Sequence, residues 1–267
     1  MQYEIGFIGC GNMGGALVRA VAKAVNASQI AVCDYSKEKA ETLAKTLGVC
    51  ALGAKELAQN SKMVVLGVKP QNMQETVGEI ANNLQENKNA VVITMAAGVP
   101  ISKIREYAKN PNLPVVRIMP NTPASLGEGM ILYDCARVDK QDETRFLELF
   151  SKDGVLDKLD EYKIDAGCAL SGSGPAFVYA FAKALATAAN ECGIPKEKAL
   201  KYAAQTLVGG AKMLQEHGDA DALIKAVCSP NGTTVAGMGA LEKGNFEEVA
   251  KSAVHAAYNR AKELANG

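Results

Sequence analysis

The chain has 267 residues, 48% of them apolar and 22% charged, with 29 Lys+Arg balanced by 29 Asp+Glu. That is ordinary globular composition, not disorder, and it fits one large domain or two modest ones. The balance also holds locally, 19 basic against 20 acidic residues up to Asp165 and 10 against 9 beyond it. Neither half therefore carries the basic excess of a nucleic-acid binder or a polybasic membrane patch.

In chain order, the first 165 residues alternate between two patterns. Short, nearly continuous apolar runs at Glu4–Ile8, Gln29–Cys33, Met63–Leu66, Ala90–Ile93 and Val115–Ile118 read as strands covered on both faces. Amphipathic stretches at Gly14–Val25, Lys37–Leu47 and Asn72–Leu84 read as helices between them. Such repetition implies a parallel, right-handed βαβ sheet, an α/β dinucleotide-binding (Rossmann) domain with helices on both faces, over residues 1–165. Gly127–Tyr133 reads as one further strand and Asp142–Ser151 as a covering helix.

After Asp165 the texture changes. The last 102 residues hold 24 Ala and few β-branched clusters. Phe177, Phe181, Ala184, Leu185, Ala188 and Cys192 recur at helical spacing, and Lys196–His217, Ala220–Val227 and Phe246–Ala265 continue the pattern. Residues 166–267 are thus expected to be all-α. So many Ala and so few aromatics imply helices packed backbone-close, with a core that a second subunit completes through a C2 interface.

The longest uncharged run, Ala166–Ala182, is 17 residues and is broken by Ser171-Gly172-Ser173-Gly174-Pro175, too short to span a bilayer. Seven cysteines without CxxC spacing read as reduced thiols, and Glu4 without a basic start argues against a signal peptide, so a cytoplasmic setting is expected. No metal-binding constellation is visible.

Gly9-Cys10-Gly11-Asn12-Met13-Gly14 matches GxGxxG. It follows the first strand, opens the first helix and precedes the second strand within about 30 residues, the order that makes this motif specific for dinucleotides. The helix start would offer free N–H groups and a positive dipole to the pyrophosphate. Asp34 ends the second strand, where a carboxylate takes the ribose 2′-OH of NAD. Ser36 and Lys37 follow, and could hold a 2′-phosphate if Asp34 turned away; Ser36 could equally be a helix N-cap. NADP(H) and NAD(H) both stay open.

A dehydrogenase acting on an alcohol needs a general base, and the two histidines, His217 and His255, sit in distal helical patterns that suggest structural or surface roles. Reduction of a protonated C=N bond needs less: proximity, a hydrogen bond to nitrogen and an anchor for the rest of the substrate. Cys228-Ser229-Pro230-Asn231-Gly232-Thr233-Thr234 joins two helices and gathers hydroxyls and N–H groups ahead of a helix beginning near Thr234, which suits a small carboxylate. A Ser/Thr helix cap is the plain alternative. Ser171–Pro175 reads as a turn opening a long helix from Ala176.

Six segments together resemble the pyrroline-5-carboxylate reductase family almost end to end: Phe7–Gly14, Val68-Lys69-Pro70-Gln71, Met95-Ala96-Ala97-Gly98-Val99, Met119-Pro120-Asn121-Thr122-Pro123, Ser171–Phe177 and Ser229–Thr234. The resemblance implies reduction of 1-pyrroline-5-carboxylate to L-proline with NADPH or NADH. It implies that Val68, Lys69, Pro70, Met95, Ala96, Ala97 and Asn121 join residues 9–14 around the dinucleotide. It further implies that Ser229, Asn231, Gly232, Thr233 and Thr234 hold the substrate, with Thr234 as the catalytic residue at the ring nitrogen. Subunits of the family pair through interlocked C-terminal helices. The chain departs from the family in having Asn231 in place of a usual Gly, Ala54 in place of an Asn near the adenosine ribose, and Asp34 in place of Ser or Arg. A β-hydroxyacid dehydrogenase would need a catalytic Lys where Val178 stands.

Overall fold

A computed structural model describes residues 2–266, with side chains through residue 263. The outer ends of the two expected domains, residues 1 and 267, lie outside the described residues. Eight strands form one sheet: β1 (Tyr3–Ile8), β2 (Ile30–Cys33), β3 (Cys50–Ala51), β4 (Ser61–Leu66), β5 (Val91–Thr94), β6 (Val115–Met119), β7 (Gly129–Ala136) and β8 (Gly154–Lys158). Their order is β3-β2-β1-β4-β5-β6-β7-β8. The chain runs outward from β1 through β2 to β3, then returns to the other side of β1 at β4. That reversal creates a crevice at the carboxyl ends of β1 and β4, where ligands bind in open α/β sheets.

Alternation along each strand assigns the two cores. Ile5, Phe7, Met63 and Val65 face α1 (Asn12–Val21), α2 (Lys37–Leu47) and α6 (Lys140–Leu149). Ile8, Val64 and Leu66 face α3 (Ala54–Asn60), α4 (Met73–Glu86) and α5 (Ile101–Tyr107). Helices thus cover both faces, as the unbroken apolar runs require.

All pairings are parallel except β6–β7, which is antiparallel. Only residues 120–128 connect these two strands. A parallel return needs a crossover of a dozen residues or more, so the chain turns back through a short 3-10 segment, Thr122–Leu126. α6 then provides the crossover to β8, which runs parallel to β7.

By packing, the chain divides into Met1–Ser173 with Ala257–Gly267, and Gly174–Ala256. The expected division at Asp165 falls eight residues too early. α7 (Glu161–Gly167) stays with the sheet because Ile164 is buried with Met119 and Leu132. Polar bonds reinforce this. Buried Arg117 on β6 donates to Asp165 at 2.7 Å and lies 3.6 Å from Glu161. The Glu161 carboxylate accepts the Ile101 N–H at 2.6 Å, and the Glu161 N–H donates to Asp134 at 2.8 Å.

Nor is Ser171–Pro175 the free turn that its composition suggests. α7 continues into a π-helical turn, Cys168–Gly172, closed by Ser173 N–H donating to the Cys168 carbonyl, and α8 (Gly174–Glu191) begins two residues before Ala176. Pro175 has no N–H to return to the Ser171 carbonyl four residues earlier. Asn121 Nδ2 donates to that carbonyl instead, at 3.0 Å.

The second unit holds α8, α9 (Lys196–His217), α10 (Ala220–Val227), α11 (Thr233–Lys243) and the first part of α12 (Phe246–Asn266). α8 and α9 pack together, and the Phe181 and Phe246 rings lie 5.6 Å apart. Only three of its apolar side chains are buried among the described residues: Ala182, Ala199 and Ala203.

Candidate active site

The GxGxxG segment sits at the β1–β4 crevice. Gly9 adopts φ +103°, open only to a residue without a side chain. A methyl there would lie 2.6 Å from the Gly67 carbonyl, and one on Gly14 would meet the Gly9 oxygen. The Gly67 N–H donates to the Ile8 carbonyl at 2.7 Å and the Gly9 N–H to the Cys33 carbonyl at 2.8 Å. The turn is therefore pinned to the ends of β1, β2 and β4. Gly67 is a partner the sequence reading missed; its signal was a glycine directly after the β4 apolar run.

Gly11, at the helix N-cap, has open space where a side chain would stand, and no side chain caps α1. The first-turn N–H groups of Asn12, Met13 and Gly14 have no partner within the helix. Gly11 and Asn12 are exposed, Met13 is half-buried and Gly14 is buried. Such a start, with its positive dipole end, fits a pyrophosphate. An adjoining groove of about 730 Å³ runs between α1 and α2, lined among others by Cys10, Gly11, Arg19, Ser36 and Lys39.

Asp34 lies beside the turn. Its carboxylate accepts the Cys10 N–H at 2.7 Å and the Ser36 N–H at 3.0 Å. Ser36 stands at the N-cap of α2, but its side chain makes no capping bond. Burial, reinforced by the Asp34 charge, pushes the Cys10 thiol up to about 12.

Val68 and Lys69 extend β4, Val68 half-buried and Lys69 exposed, and Pro70 opens the 3-10 turn Pro70–Asn72. Met95 and Ala97 follow β5 half-buried. The Ala96 methyl is buried in the core that packs on α4 and α5. Asn121 is 8% exposed and uses both ends of its amide on the protein: Nδ2 on the Ser171 carbonyl, and Oδ1 on the Met130 N–H at 2.9 Å. It clamps the β6–β7 turn to the π-helical turn.

In the helical unit, α10 ends at Val227 and α11 starts at Thr233, one residue earlier than the spacing suggests. Between them Ser229–Gly232 forms a tight turn, the Gly232 N–H donating to the Ser229 carbonyl at 3.0 Å. Pro230 takes the second position, which it favours, and Asn231 the third with φ +55°. Asn tolerates that conformation, so the turn survives without the family's usual glycine. A methyl on Gly232 would sit 2.5 Å from Ser229 Oγ. No side chain caps α11, and Thr233 and Thr234 are exposed. The turn thus brings Ser229, Asn231, Gly232, Thr233 and Thr234 together at an uncapped helix start.

Residues 161–264 match the family model described as pyrroline-5-carboxylate reductase dimerisation, and residues 4–98 match the one described as NADP oxidoreductase, coenzyme F420-dependent. Pyrroline-5-carboxylate reductase 3 of Danio rerio is 38% identical over 99% of this chain and 92% of its own. The chain belongs to the pyrroline-5-carboxylate reductase family. Among solved structures, the reductase of Coxiella burnetii is 34% identical with a TM-score of 0.90, covering 99% of both chains. That of Plasmodium falciparum, with NADP bound, is 28% identical with a TM-score of 0.88, again over 99% of each. Among the described residues no helix is long and apolar enough to cross a membrane, and no group of three His, Cys, Asp or Glu is placed to hold a metal ion.

Proposed function

We infer that the chain is an NAD(P)H-dependent oxidoreductase that reduces 1-pyrroline-5-carboxylate to L-proline, the last step of proline biosynthesis. Family membership supports the reaction, and one structural observation carries the assignment of parts: two uncapped helix starts, each preceded by a turn that only small or left-handed residues can make.

The first start holds the cofactor. Backbone N–H groups of Gly11, Asn12, Met13 and Gly14 face the pyrophosphate, and Gly9 lets it approach. Cys10, Asp34 and Ser36 line the adenosine end. Val68, Lys69, Pro70, Met95, Ala97 and the Ala96 backbone, at the ends of β4 and β5, position the nicotinamide end. Asn121 supports this wall through its clamp. When bound, the reduced nicotinamide supplies a hydride to the imine carbon.

The second start holds the substrate. N–H groups at Thr233 and Thr234 and the hydroxyls of Ser229 and Thr233 take the carboxylate, with Asn231 and Gly232 setting the turn. Thr234 hydrogen-bonds the ring nitrogen. A ring nitrogen that arrives protonated makes the adjacent carbon electrophilic, so no strong general acid is required.

A second copy of the chain completes the helical unit, whose large apolar side chains, such as Val208 and Met238, stand exposed. A cytoplasmic setting suits its seven unbridged cysteines.

The direct test follows absorbance at 340 nm with 1-pyrroline-5-carboxylate and either reduced cofactor. Oxidation of the cofactor with formation of proline is the expected result; dinucleotide binding without turnover would reject the reading. Thr234→Ala should lower kcat by about tenfold or more while leaving the dinucleotide Kd unchanged. Unaltered kinetics would remove Thr234 from the reaction.

A further inference from the structure

Whether the adenosine ribose carries a 2′-phosphate is decided at the end of β2. The Asp34 carboxylate is held at both oxygens, Oδ2 by the Cys10 N–H at 2.7 Å and Oδ1 by the Ser36 N–H at 3.0 Å. Turning it outward to make room for a phosphate would break both bonds. It would leave the part-buried Cys10 N–H without its acceptor in the turn that seats the pyrophosphate. The Ser36 N–H, one of the donors a phosphate would need, is already engaged.

The negative charge is therefore fixed beside the glycine turn. A carboxylate offers about four lone-pair sites. Two are taken here, and two remain for the 2′- and 3′-hydroxyls of an unmodified ribose. A 2′-phosphate would instead bring its own negative charge against a carboxylate that cannot retreat. Arg19, Lys37 and Lys39 stand nearby as the opposing influence, but all three are exposed, and Glu38 lines the same groove. Exposed cations on long side chains gain little from pairing in water.

We propose that Asp34 is the specificity-determining residue of the cofactor site and that it makes this chain prefer NADH to NADPH. The proposal rests on the reductase reading above and concerns only the adenosine end of the cofactor.

Titration calorimetry without substrate tests it. NADH should bind the wild-type chain about tenfold or more tightly than NADPH. ADP should likewise exceed adenosine 2′,5′-bisphosphate, a comparison that needs no variant. Asp34→Ser and Asp34→Asn should each narrow or reverse the NADH preference; the Asn variant keeps an acceptor for the Cys10 N–H if the Ser variant disturbs the turn. Equal or tighter binding of NADPH by the wild-type chain would overturn the proposal and leave the reductase reading intact, as would an unchanged preference in both variants. Failure of the wild-type chain to bind either dinucleotide would overturn both.

Discussion

The two units spend their apolar residues in opposite ways. The sheet unit closes on itself: Phe7, Phe146 and Phe150 are wholly buried, and strands and helices cover one another on both faces. The helical unit buries three alanines and leaves Val208, Met213, Val235 and Met238 exposed. Burial stabilises by roughly 25 cal/mol per Å² of apolar surface, so the sheet unit carries its own stability and the helical unit does not.

That contrast can be broken most decisively on the helices. Val208→Glu together with Met238→Glu should dissociate the assembly at micromolar concentration and remove activity, read by light scattering and turnover. A variant that stayed assembled would mean that these faces are not the ones covered. In the sheet unit, Phe146→Ala should cost about 3–5 kcal/mol. Its loss in Tm should not depend on protein concentration, whereas truncations on the helical faces should make Tm concentration-dependent. Next in size is Asp165→Asn, which deprives buried Arg117 of its nearest carboxylate and should cost about 3 kcal/mol in denaturant unfolding.

An effect that only pH reveals concerns Asp153, fully buried in the turn just before β8 with no hydrogen-bond partner for either carboxylate oxygen. Burial raises its pKa to about 8, against a weaker opposing pull from Lys23. The folded chain therefore holds a proton that the unfolded chain releases near pH 4. The stabilisation is complete below the unfolded value and is lost as pH rises through about 8. Asp153→Asn should match the wild-type Tm at pH 4 and exceed it by about 3 °C or more at pH 8.5. A pH-independent difference between the two would mean that Asp153 is ionised in the fold.

Much of the contrast is legible in the sequence. β1, β2, β4, β5 and β6 announce themselves as apolar runs, and α2, α9 and α10 match their expected spans to the residue because each has a sustained amphipathic period with a Gly, Pro or Asp at one boundary or both. β3 has two residues, and α3, α5 and α7 seven each; so few residues cannot establish a period. β8 was missed because its half-exposed Gly154–Lys158 run lacks an apolar block. The antiparallel turn into β7 was encoded in a connection too short to cross over.

Site positions read from glycines and hydroxyl clusters landed at turns, since backbone constraint is local. The partners of side chains were not legible, because they depend on which distant backbone group lacks a mate. Asn121 answers the Ser171 carbonyl, 50 positions away, and Asp34 answers Cys10 across two strand ends.

Cys10 stands half-buried in the glycine turn, and that burial pushes its thiol up to about 12. At neutral pH the sulfur is therefore held as the thiol, the poor nucleophile of the pair. Peroxide or an alkylating agent finds almost nothing there to attack. The glycine turn thus carries its cysteine as a small packing side chain rather than as a reactive one.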